Sequence, residues 1–137
     1  MNGELLQATS IAFVALPALW INTKPRPRIE WVLFFILVIN GLVSFLFWGD
    51  PVPHSDIHVL DGLLGRVSMF LFSVYLLFIK KMPYTYKFGF LCCLYLMLFC
   101  FHNSTYHSEL DWLCPMHISW HMLFHGLIGT GAMFSFI

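Results

Sequence analysis

The sequence predicts an all-α fold: one polytopic helical membrane domain, residues 1–137, with about five transmembrane helices. Three observations carry that prediction. Hydrophobic residues make up 59% of the 137 and charged residues only 10%, too little charge to cover a soluble domain of this size. Mean hydropathy is +0.78, which fits a bilayer as the solvent. Five apolar stretches, parted by short polar connectors, each come near the roughly 20 residues that a spanning helix needs.

The stretches are Leu5–Ile21, Ile29–Trp48, Ile57–Ile79, Tyr84–Phe101 and Met116–Ile137. The first contains Pro17, and the residues before it lack the basic region of a secretory signal, so it is expected to be retained as a span. The fourth carries Lys87 near its start, where a long side chain can snorkel to the interface. Between the stretches lie a stiff basic connector (Thr23–Arg28), an acidic turn-rich one (Gly49–Asp56), a second basic one (Lys80–Pro83) and an acidic, His-rich one (His102–Pro115).

Six of the seven Lys and Arg residues, namely Lys24, Arg26, Arg28, Lys80, Lys81 and Lys87, fall on one side of this arrangement. The positive-inside rule then places the N-terminus and the His-rich connectors outside or in a lumen, and the C-terminus in the cytoplasm. The sequon Asn103-Ser104-Thr105 falls on the outer side, close to the membrane. Formal net charge is zero, which leaves no basic field to draw nucleic acid. The four cysteines make no disulfide framework and read as free thiols on apolar faces.

All seven histidines (His54, His58, His102, His107, His117, His121 and His125) lie in or just inside the two outer connectors. Residues four apart share a helix face, so His117 and His121 can address one ion, with His125 continuing the stripe. Imidazole pairs at this spacing suit zinc. An interfacial histidine is equally at home as a wet amphipathic side chain, so the neighbours decide. Ser44 near the end of the second stretch, Asp61 one turn into the third and His121 in the fifth all fall about 6–7 Å below the outer helix ends. A carboxylate inside the membrane is a functional-site hypothesis by default.

Arg66 lies about 140° round the helix from Asp61, so the two do not face each other. It can snorkel, pair with Glu109 or Asp111, or meet an anionic head group. Gly62, Gly65, Gly126, Gly129 and Gly131 read as close-packing positions. Trp20, Trp31, Trp48 and Trp112 read as interfacial belts first and as a lipid-pocket lining second.

The ordered set Ser44, Leu60-Asp61-Gly62 and His117-x-x-Trp120-His121 resembles the CREST superfamily of membrane hydrolases and receptors, which joins alkaline ceramidases, progestin and adipoQ receptors and Per1-like proteins. The family pattern is Ser-x-x-x-His, then Asp, then His-x-x-x-His, on three of seven helices. The resemblance implies a zinc site with His117 and His121 as metal ligands, Asp61 orienting or deprotonating the metal-bound water, and Ser44 lining the site. It covers about a quarter of the chain. The third ligand position falls on Trp48, which cannot bind zinc, and His54, His58, His107 or His125 would have to replace it. A second mapping, Ser104-x-x-His107 followed by Leu110-Asp111, places the motif's aspartate on the same element as His117.

Two functions stay open at this level. One is a zinc-dependent intramembrane hydrolase of a lipid amide or ester, with Asp61 and Ser44 as its catalytic residues. The other is a non-catalytic membrane protein, a lipid-binding receptor-like or assembly factor, with a structural His cluster. A haem protein is less well supported, because the histidines gather near one membrane face. The expected partners are membrane lipids, with a second copy or another membrane protein compatible with the apolar surface.

Overall fold

A computed structural model describes residues 2–137, and among them every regular element is helical. The helices are α1 (Asn2–Ile21), α2 (Arg28–Gly49), α3 (Asp56–Val74), α4 (Tyr84–Leu110) and α5 (Pro115–Met133), with a π-helical turn, Tyr75–Ile79, continuing α3. Local chemistry sets the starts. The Ser55 hydroxyl accepts from the His58 amide and the Cys114 thiol from the His117 amide, each satisfying an orphan N–H at a helix start. Pro27, Pro83 and Pro115 stand at the starts of α2, α4 and α5, where a missing N–H costs nothing. Pro17 is carried inside α1, near its end.

Four helices are long and apolar enough to cross a membrane: α1, α2, α3 with its π turn, and α4. The fifth expected span differs. α5 has 19 residues, but His117, His121 and His125 lie within it and lower its hydropathy.

The connector expected over His102–Pro115 is mostly helix. α4 runs to Leu110, and only Asp111–Cys114 link it to α5. No Pro or Gly occurs between His102 and Leu110, so polarity changes there without any reason for the backbone to break. At 1.5 Å per residue α4 is about 40 Å long, which exceeds the roughly 30 Å of a hydrocarbon core. The last stretch is also shorter than expected: α5 stops at Met133, and Phe134–Ile137 turn back under the bundle.

Packing follows an order unlike the chain order. α3 packs on α2, α2 on α1, α1 on α5 and α5 on α4. The helices form an arc whose two ends, α3 and α4, are chain neighbours that meet mainly where the π turn touches α4. Two apolar clusters fill the arc. One, at the end carrying the basic connectors, gathers Phe13, Leu33, Leu37, Phe72, Leu76, Phe90 and Phe136. The other, at the histidine end, holds Leu6, Phe47, Trp48 and Ile118.

Glu30 closes the basic end. Its carboxylate accepts from Arg26 Nη1 at 2.8 Å, from the Tyr75 hydroxyl at 2.7 Å and from Lys80 Nζ at 3.0 Å. Arg26 also donates to the carbonyls of Trp20, Ile21 and Phe136, and Lys80 to that of Ser135. One buried carboxylate thus ties α1, α2, the π turn and the C-terminal segment together. Burial pulls the Lys80 ammonium down, against the upward pull of Glu30.

Candidate functional site

Because α3 and α4 do not close on each other, a cavity of about 730 Å³ opens between them at the histidine end. That volume lies within the roughly 300–1,000 Å³ of ordinary ligand sites. Asp61, Gly62, Gly65 and Arg66 line it from α3, and Ser104, Thr105 and Glu109 from α4. Its back wall is α2 and α5, with Ser44 and Trp48 on one and His117, His121 and His125 on the other. The sequence-predicted residues Ser44, Asp61, His117 and His121 are therefore brought to one cavity, together with His54, His58 and His125. His107 is not among its lining residues.

Each histidine of α5 is held by a neighbour. His117 Nδ1 accepts the Leu113 amide at 3.2 Å, a contact made possible by the left-handed backbone of Leu113 (φ 63°). His121 Nδ1 lies 2.9 Å from the Ser104 hydroxyl of α4, and His125 Nδ1 lies 2.8 Å from the Thr9 hydroxyl of α1. Thr9 also reaches the Leu6 carbonyl at 3.0 Å. If its single proton goes there, His125 must donate from Nδ1 and keeps a lone pair on Nε2.

These bonds bear on zinc. A neutral imidazole that ligates through one nitrogen carries its proton on the other and donates it. His117 accepts at Nδ1, so its proton sits on Nε2 and neither ring nitrogen keeps a free lone pair for a metal. The same holds for His58, whose Nδ1 accepts from the His54 amide at 2.9 Å. On α5 that leaves His121 and His125 to turn a lone pair inward, and their rings stand 4.8 Å apart. Among the described residues no group of three or more His, Cys, Asp or Glu is placed to hold a metal ion. As arranged, the donor set does not fit zinc.

Trp48 is 2% exposed, and its indole lies 4.7 Å from the His121 ring and 6.0 Å from His117. It also stacks on Trp112 at 6.1 Å. Trp48 and Trp112 thus line the cavity, the second of the two readings of these tryptophans, whereas Trp20 is 40% exposed.

Ser44 is more engaged than its predicted role needs. Ser10 donates to the Leu6 carbonyl at 2.8 Å and lies 3.1 Å from Ser44, which also reaches the Asp61 carboxylate. With the Ser10 proton on the Leu6 carbonyl, the single Ser44 proton goes to Ser10 and is not free for an oxyanion.

Two readings of small and charged residues change. An added Cβ at Gly62, Gly65 or Gly126 would meet nothing within 4 Å, so these are not close-packing positions. α3 turns Gly62 and Gly65 to the cavity instead. Gly129 and Gly131 do serve packing, with Phe13 Cα and Met97 Cε each 3.0 Å from such a Cβ. Arg66 pairs with neither Glu109 nor Asp111; among the described residues the ion pairs are those of Glu30.

Sequence reasoning missed Glu30 and Thr9. Arg26 and Glu30 at i, i+4 spacing, at the start of an apolar run, were the signal for the first. For Thr9 there was none, since its partner lies 116 residues away. No family model, no curated protein and no solved structure matches this chain.

Proposed function

We propose that the chain is a non-catalytic lipid-binding membrane protein whose ligand enters sideways, through the gap between α3 and α4. In this reading all five helices cross the bilayer, with the histidine end outside or lumenal and the Glu30 end cytoplasmic, as the six-residue basic asymmetry favours. The observation that carries it is the open arc. The gap leaves a cavity with a polar upper part and an apolar lower part made by Met69, Phe124 and Ile128. A groove of that polarity, open at mid-height to hydrocarbon, suits an amphiphile drawn from the membrane. The His cluster is then structural, a polar layer in which Ser104 and Thr9 hold α4 and α1 to α5.

Gly65 supplies the test. A leucine there meets no protein atom at its Cβ but projects into the cavity. Gly65→Leu is expected to fold as the wild type does and to lose the lipid that co-purifies with it in mild detergent, read by mass spectrometry of the extract. Equal lipid content in the two proteins would overturn the reading.

Ser44 and Asp61 meeting beside His121 favour a second reading, the metal-dependent lipid amide or ester hydrolase that the CREST resemblance implies. It requires the His117 ring to give up the Leu113 amide. Stoichiometric zinc in purified protein, lost in His117→Ala/His121→Ala, would carry it, and metal-free protein would remove it.

A further inference from the structure

Given a lipid in the gap between α3 and α4, the charges around that gap say which head group it carries. Three charged side chains line the cavity, Arg66 and Asp61 on α3 and Glu109 on α4. Among the described residues the Arg66 side chain has no ion pair and no hydrogen bond, and neither does that of Glu109. Asp61 has only the shared Ser44 hydroxyl. A cation and an anion on opposite walls of one cleft, each without a protein partner, match a ligand bearing both signs.

Their order along the helices matters more than their number. Counting from Asp56, the outer end of α3, Asp61 is five residues in and Arg66 ten, about 7–8 Å deeper. Glu109 is one residue from the outer end of α4. The cation thus lies on the hydrocarbon side and the two anions on the outer side. In a zwitterionic phospholipid the phosphodiester lies next to the acyl chains and the ammonium farther out. One guanidinium can take a singly charged phosphodiester through two parallel N–H bonds. The carboxylates above it would repel an anionic head group and attract an ammonium.

We propose that the gap between α3 and α4 binds a zwitterionic phospholipid, with its phosphodiester on Arg66 and its ammonium between Glu109 and Asp61. The acyl chains run below Arg66, along Met69, Phe124 and Ile128. Gly62 and Gly65 keep the α3 wall free of side chains where the head group turns in.

This rests on the lipid-binding reading, and the experiment separates the two. Full-length protein in detergent is titrated with phosphatidylethanolamine, phosphatidylglycerol and diacylglycerol of equal chain length, and bound lipid is counted by native mass spectrometry. The expected order is phosphatidylethanolamine first, about fivefold tighter than phosphatidylglycerol, as one partly exposed charge contact allows. Glu109→Gln should shrink that preference, and Arg66→Gln should bring both phospholipids down to diacylglycerol. Both side chains are exposed and unpaired, so neither change removes a native contact. Equal binding of all three lipids, or phosphatidylglycerol ahead, overturns the head-group assignment and leaves the lipid cleft standing. Binding of none of them, with no loss in Gly65→Leu, removes both.

Discussion

Trp48 sets a flat ring with no lone pair for a metal against His121 and His117. Its Nε1–H is buried and without a partner. Trp48→His is expected to retain more zinc through purification than the wild type, measured by elemental analysis and lost on chelation. Zinc at equal occupancy in the wild type would mean that Trp48 does not exclude it. Thr9→Val addresses the opposite end of the stripe. It strips the buried His125 ring of the one side-chain hydrogen bond it has among the described residues, at an expected cost of about 1–3 kcal/mol, read as a lowered midpoint of thermal unfolding in detergent. An unchanged midpoint would mean that this bond does not hold α1 to α5.

At the level of elements, α4 makes the sharpest demand. If it stays helical to Leu110, exposure must alternate with helical period through residues expected from sequence to be loop. Single cysteines placed in a cysteine-free background report this. Tyr106→Cys, 55% exposed, should react rapidly with a membrane-impermeant maleimide, and Ser104→Cys, 2% exposed, should not. Uniform labelling from 103 to 110 would restore the loop. This element also shows what was legible in advance. The starts of all five helices were readable within three residues, because prolines, capping residues and charge mark them chemically. The end of α4 was not, because the sequence there changes polarity without containing a breaker. Ser44, Asp61 and His121 could be placed at one depth from helical rise alone, and they do share a cavity, with His117 beside them. Whether those side chains ligate, accept or donate depends on Thr9, Ser104 and Leu113, whose closeness to the histidines is a product of packing. The two cavity glycines were misread for the same reason: helical spacing says that small residues share a face, not that another helix covers it.

The whole molecule is an incomplete ring, fastened most firmly at the basic end. Glu30 is 4% exposed and holds two cations and a phenol that come from different parts of the chain. Glu30→Gln leaves Arg26 and Lys80 with no counter-charge, and breaking one side of a buried ionic cluster costs about 3–5 kcal/mol. The variant should unfold at a markedly lower temperature than the wild type in detergent. Loss of no more than the small cost typical of a surface pair, about 0–1 kcal/mol, would show that the cluster is well hydrated. At the other end the ring stays open, so mobility of α3 against α4 should be concentrated at the cavity rather than at the π turn.

The position of α5 in the arc also has a bearing on biogenesis. α5 follows the other four helices in the chain, yet it lies between α1 and α4 rather than at an edge. During synthesis the earlier helices leave the ribosome first, and the slot between α1 and α4 stays vacant until α5 arrives. α5 is also the helix with least claim to enter hydrocarbon by itself, since it brings three imidazoles. The partners that satisfy those rings, the Thr9 and Ser104 hydroxyls and the Trp48 face, already stand on the helices that frame the slot. In the five-span reading proposed above, insertion of the last helix and assembly of the polar layer would be one event, and a ribosome stalled before residue 115 would leave Thr9 and Ser104 without their α5 partners.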